Sequence, residues 1–139
     1  MKKSQVLKTL KTKLTEITQF KQVKRGNIYD PSQYPILLIR VPIAESYYEQ
    51  LTNKKIPNIQ SCDILLDIIN VYGNGVLEDE KLDELVELVK EKMNTVSDGA
   101  NIIGIEWQHD EEWENSPGDN TQGMTVYYTL QYKSDRVLS

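Results

Sequence analysis

The spacing of apolar positions changes repeatedly along this chain, and each change marks an element. Residues 3–20 place Val6, Leu7, Leu10, Leu14 and Ile17 at three- and four-residue steps, with lysines and threonines between them. A single apolar stripe at that period predicts an amphipathic helix buried along one side. Phe20 and Val23, in FKQVKRG, shorten the period towards two, so the helix is expected to run into a short strand that stops at Gly26-Asn27. NIYDPSQYP reads as a loop punctuated by Pro31 and Pro35, and ILLIRVP, residues 36–42, as a second strand ended or edged by Pro42.

Residues 43–61 are polar, carry the adjacent pair Tyr47 and Tyr48, and contain Pro57, which predicts a long excursion between strands. Residues 62–72 then form the most apolar run. One face carries Cys62, Ile64, Leu66, Ile68 and Asn70; the other carries Asp63, Leu65, Asp67, Ile69 and Val71. Apolar residues on both faces predict a central strand covered on both sides, one by the helix that follows and the other by the N-terminal helix or a neighbouring subunit. After the turn Gly73-Asn74-Gly75, residues 78–96 align Leu82, Leu85, Val86, Val89, Met93 and Val96 on one face of a second amphipathic helix. Residues 101–108 predict a strand, 109–123 an acidic loop, and 124–133 a last strand. In that strand Met124, Val126, Tyr128, Leu130 and Tyr132 alternate with polar positions. The expected architecture is one α+β domain over residues 1–139, a mostly antiparallel sheet packed against two amphipathic helices.

Composition adds three constraints. A chain of 139 residues, 39% hydrophobic and 27% charged, has the makeup of one globular domain. A single cysteine, Cys62, allows no internal disulfide and fits a reducing compartment. No apolar run approaches the length of a membrane span, so a cytoplasmic, membrane-free protein is expected. The net charge of −5 is unevenly spread. Residues 1–25 hold eight basic side chains against Glu16 alone, while residues 78–119 hold fourteen acids against three lysines. A basic end and an acidic end can simply be solvated, or one copy's basic surface can meet the next copy's acidic one.

Catalytic chemistry finds little to work with. In His109-Asp110-Glu111-Glu112 the possible ligands are consecutive and no second histidine exists, so a solvated acidic segment is expected rather than a metal or acid/base site. YGNG lies between a strand and a helix, but acids follow where a phosphate loop needs Lys-Ser/Thr. Asp63 and Asp67 are expected at a partly exposed side or a subunit contact, Trp107 in the core, and Trp113 exposed towards a partner. No enzyme activity and no cofactor are expected. The lysine-rich first helix permits weak phosphate contact without a recognised nucleic-acid reader.

Taken together, several segments resemble the tail terminator (tail completion) proteins of long-tailed bacteriophages. These are the N-terminal helix entering FKQVKRGN, the strand YPILLIRVP, the pair DILLDIINVYGNG and LDELVELVKEKM, the strand IIGIEW, an acidic segment, and the aromatic strand MTVYYTLQYK. The resemblance spans nearly the whole chain as an order of elements, without a diagnostic motif, and head-completion or stopper proteins of the phage neck share much of it. It implies a structural protein forming a ring, usually of six copies, that caps the tail tube. Such a ring meets the tube protein on one surface and the head connector protein on the other, with DNA passing through without specific binding. The implied location is the host cytoplasm during assembly and then the virion. The resemblance supplies no interface residues. From this sequence alone the candidates are Lys8, Lys11 and Lys13; Tyr47 and Tyr48; Glu84, Glu87 and Glu91; and Glu111, Glu112 and Trp113. The alternative from a different class is a cytosolic protein-binding or regulatory module acting through residues 43–61 and 109–123.

Overall fold

The computed structural model describes residues 3–42, 59–71, 79–97, 101–114 and 120–133. Its elements are α1 (Lys3–Thr15), β1 (Gln22–Arg25), β2 (Ile36–Arg40), β3 (Ile59–Val71), α2 (Asp79–Met93), β4 (Ile102–Glu112) and β5 (Thr121–Lys133). The strands form a five-stranded sheet in the order β1-β2-β3-β5-β4. Only β1 and β2 run parallel; every other neighbouring pair is antiparallel. This is the mixed α+β arrangement expected from the alternating periods, in the expected order.

The helices depart from expectation in where they pack. Both lie on the same face of the sheet. Val6, Leu7, Leu10 and Leu14 of α1 and Leu82, Leu85, Val86, Val89 and Met93 of α2 share one core with Cys62, Ile64, Leu66 and Ile68 of β3. Val126, Tyr128, Leu130 and Tyr132 of β5 complete that core, in the alternation read from the sequence. α1 therefore does not cover the opposite face of β3. A strand apolar on both sides states that both faces are dry, and not which element dries each one.

The opposite face has a smaller cover. Ile36, Leu38 and Ile69 form a second cluster with Tyr29 and Tyr34 packed on it. Those tyrosines belong to the connection between β1 and β2, held down by a buried glutamine. Gln22 donates from Nε2 to the carbonyls of Asp30 and Gln33, at 2.6 and 2.9 Å, and accepts from the Asp30 N–H at 3.0 Å. A buried amide with both ends satisfied is a stable anchor for a loop. β1 is followed by Gly26, whose φ of 92° suits glycine and whose N–H donates to the Ile39 carbonyl at 2.9 Å.

Several boundaries differ from the sequence reading: α1 stops at Thr15 and α2 at Met93, short of the expected 20 and 96. β4 continues to Glu112, so His109–Glu112 belong to a strand and not to an acidic loop, and β5 starts at Thr121. β3 starts at Ile59, three residues before the expected Cys62. β4 is the outermost strand and two register shifts interrupt it, between Ile102 and Gly104 and between Trp107 and His109. The GNG turn lies outside the described residues.

Two outcomes follow from the shared core. Leu66 is fully buried at its centre, so Leu66→Ala should cost about 2–5 kcal/mol in urea unfolding. Tyr128 is also buried. Burial first, and the nearby Asp110 and Glu87 carboxylates next, push its phenol up from 10.0 to about 12. A phenol kept neutral above its ordinary range contributes stability that is whole below pH 10 and is lost as pH rises to about 12. The unfolding midpoint should therefore fall across that window, and fall less steeply in Tyr128→Phe.

Candidate functional site

The face of the sheet opposite α1 and α2 is organised, beyond its Ile36–Leu38–Ile69 cluster, by charge and hydrogen bonds. Asp67, in the middle of β3, is 3% exposed. Its carboxylate accepts from Arg40 of β2 through both Nε and Nη2, the latter at 2.9 Å, and from Thr125 Oγ1 of β5 at 2.7 Å. Thr125 Oγ1 in turn accepts from the Trp113 indole N–H at 2.8 Å. A chain of four side chains thus crosses β2, β3 and β5 and ends on the residue following β4. A carboxylate this buried is tolerable because Arg40 and Thr125 aim donors at it, the guanidinium in its two-pronged geometry. The same pairing holds the guanidinium charged, above its ordinary range.

Asp63 sits two pleats away on the same face and accepts from Thr129 Oγ1 at 2.7 Å. Asp63 and Asp67 are thus engaged by different neighbours, and Asp67 is an internal anchor where an exposed side or subunit contact had been expected. Further along, the His109 ring stacks on Tyr127 at a centroid separation of 4.1 Å, and the Tyr127 hydroxyl donates to Glu111 Oε2 at 2.7 Å. That bond to Glu111 raises the Tyr127 pKa, with burial adding to it. His109, Tyr127, Leu65 and Pro42 border a shallow depression on this face.

Strand geometry disperses the acidic run. His109 and Glu111 pair across from Tyr127 and Thr125 on the face opposite α1 and α2, whereas Asp110 and Glu112 pair across from Val126 and Met124 on the helix side. Asp110 takes the Trp107 indole N–H at 2.8 Å and the Lys90 ammonium of α2 at 2.7 Å, with Lys90 4.8 Å from the centre of the Trp107 ring. Trp107 is 48% exposed and therefore not the core residue expected, because β4 lies at the outer margin of the helix layer. Trp113 is exposed as expected, at 37%. Its indole nonetheless lies flat against Gly123, where a Cβ would overlap the ring, so much of its apolar surface is spent within the chain.

The charged candidates separate by place. Lys8 and Lys11 are exposed on α1. Lys13 faces Glu16 at 4.0 Å, and Glu16 reaches Lys92 of α2 at 3.8 Å, so this flank of α1 is turned towards α2. Glu84, Glu87 and Glu91 are exposed along α2, with Glu80 and Asp83, beside the half-buried Leu88. Like charges at three- and four-residue spacing repel by a few tenths of a kcal/mol per pair. Glu111 and Glu112 lie at the end of β4. Tyr47 and Tyr48 lie outside the described residues. Arg40 was not singled out from the sequence, although an arginine closing the apolar strand ILLIR, with two aspartates on the next strand, was the available signal.

Arg40 and Asp67 should respond unequally to replacement. Arg40→Met leaves a buried carboxylate with Thr125 as its remaining donor in this network and should cost about 2–4 kcal/mol. Asp67→Asn keeps an acceptor for Thr125 and leaves a partly exposed guanidinium free to turn to water, and should cost about 1 kcal/mol. Urea titration of both variants reads the difference; equal costs would contradict the network. Comparison with known proteins rests on shape alone: no protein-family model and no curated protein matches this sequence. Among solved structures the chain is similar to the gp17 protein of bacteriophage SPP1, with a TM-score of 0.51 and 9% identity over 98% of this chain and 90% of that one, so the two share a fold over nearly their whole lengths.

Proposed function

We propose that this chain is a non-catalytic structural protein of a phage or prophage neck and tail, acting as a tail terminator. In this reading, copies of the chain close into a ring, expected to hold six. The ring ends growth of the tail tube, presents a new surface to the head connector, and leaves a lumen through which DNA passes. The carrying observation is the whole-length fold similarity to a bacteriophage protein. The order of segments that resembles tail terminators adds to it.

The surface chemistry supports the reading. A ring is built from a heterologous contact, in which two different patches of one subunit complement each other. A basic N-terminal region and an acidic 78–119 region on one chain offer such a pair. Among the described residues there is no group of three or more His, Cys, Asp or Glu arranged to hold a metal, and no helix is long and apolar enough to cross a membrane. A net charge of −5 also suits passage of DNA, since retention depends on basic residues meeting phosphate.

Solution mass across a concentration series, with negative-stain images of the same samples, tests the ring. Closed rings of about six subunits are the expected result. A second arm adds the protein to purified tails that lack a terminator. Capping of their head-proximal ends is expected, and a protein that neither forms rings nor caps tails would end this reading in favour of a binding module.

A further inference from the structure

The two outermost strands of the sheet carry opposite charge. β1 is one edge, with Lys24 and Arg25 exposed on it and Lys21 just before it. β4 is the other edge, and its last four residues, His109–Glu112, follow the second register shift as an unbroken segment containing Asp110, Glu111 and Glu112. In the described sheet each of these strands has one hydrogen-bonded neighbour, so each has a backbone edge facing outward. We propose that the occupant of each edge is a second copy of this chain, with β1 (Gln22–Arg25) of one copy adding to the His109–Glu112 end of β4 in the next. This rests on the ring reading above and names the contact that would build it.

Direction, length and charge agree. β1 and β2 are parallel and the remaining pairs antiparallel, so β1 and β4 of one copy run in opposite directions. A rotation about an axis along the strands preserves those directions, and the sheet then continues from copy to copy through an antiparallel junction. β1 has four residues, matching the unbroken segment His109–Glu112. Charged edges ordinarily discourage edge pairing. Here each edge repels its own kind, since β4 against β4 sets acid on acid and β1 against β1 sets base on base. The unlike pair alone is complementary, which turns a protective feature into a choice of partner.

The helix layer places further charge beside the same junction. α1 contacts β1, while α2 contacts β3 and β5. The Lys13 flank of α1 is turned to α2, and Lys11, two residues earlier, lies about 200° around the helix. Lys8, three residues before Lys11, shares that outward flank. The β1 side of the molecule is therefore basic in both layers. A four-residue junction is small beside the ~1,200–2,000 Å² of a standard stable interface, so ring closure, in which every copy makes two such contacts, is expected to be concentration-dependent.

Charge reversal and cross-linking test the junction. Lys24→Glu with Arg25→Glu should raise the concentration for half-assembly at least tenfold, as should Glu111→Lys with Glu112→Lys. All four changes in one chain should restore assembly, because the edges remain opposite. Circular dichroism of each variant confirms that these exposed positions leave the fold intact. Separately, Lys24→Cys with Glu111→Cys should give disulfide-linked multimers under mild oxidation. An internal bond is excluded by four strand spacings of ~4.8 Å each. Rings unaffected by the reversals, or lost in the fourfold variant while it stays folded, would overturn the edge pairing and leave the ring reading standing. A chain that stays monomeric at all concentrations, fails to cap tails, and forms no cross-link would overturn both.

Discussion

The structure depends on burial being one-sided. α1 and α2 place their apolar residues on the same face of β2, β3 and β5, and that shared core holds most of the buried apolar side chains. The hydrophobic effect scales with apolar area removed from water, about 25 cal/mol per Å², so this face carries the bulk of the folding drive. On the opposite face no helix packs among the described residues, and those residues meet there through polar chemistry. Asp67 is buried there by the sheet's own neighbours, and its charge is met laterally by Arg40 and Thr125. The connection between β1 and β2, pinned by Gln22, covers one end with Tyr29 and Tyr34.

That arrangement links packing to the proposed assembly. Lateral hydrogen bonds tie β2, β3 and β5 together, so the sheet is braced across its width while its two edges carry the chain's exposed basic and acidic strands. Sites built on braced strands hold their geometry better than sites on loops. The register shifts in β4 bend the edge locally and leave its acidic end as a distinct segment. A ring made by edge addition uses the same backbone hydrogen bonding that builds the subunit, with charge deciding which edge meets which.

Much of this was legible in the sequence because the signals were periodic. The stripe from Val6 to Ile17, the stripe from Leu82 to Val96, and the alternation from Met124 to Tyr132 each report one wet and one dry side, and each marks an element that forms, although the helices stop at Thr15 and Met93, before Ile17 and Val96. β4 was half legible. IIGIEW carries apolar residues, but His109–Glu112 is held by polar and ring contacts, Asp110 to Lys90 of α2 and His109 to Tyr127, so no hydrophobic period survives there. Asp67 was misread for a related reason. An acid inside an apolar run looks like an exposed position until its partner is known, and Arg40 lies 27 residues away in sequence. The placement of both helices on one face had no signal at all, since β3 is apolar on both sides. Of the candidate interface residues, Lys8 and Lys11 lie on α1, which contacts β1, and Glu111 and Glu112 lie on the opposite edge strand, whereas Lys13 faces Glu16, which also reaches Lys92 of α2.

The central claim is that opposite edges of one braced sheet join copies of this chain. Amide hydrogen exchange, followed residue by residue at low and high protein concentration, tests it most directly. Outward-facing amides in residues 22–25 and 109–112 should exchange fast when dilute and become protected as the protein is concentrated, while the amides of β3 stay slow throughout. Fast exchange at both edges in samples that have already formed rings would contradict the account.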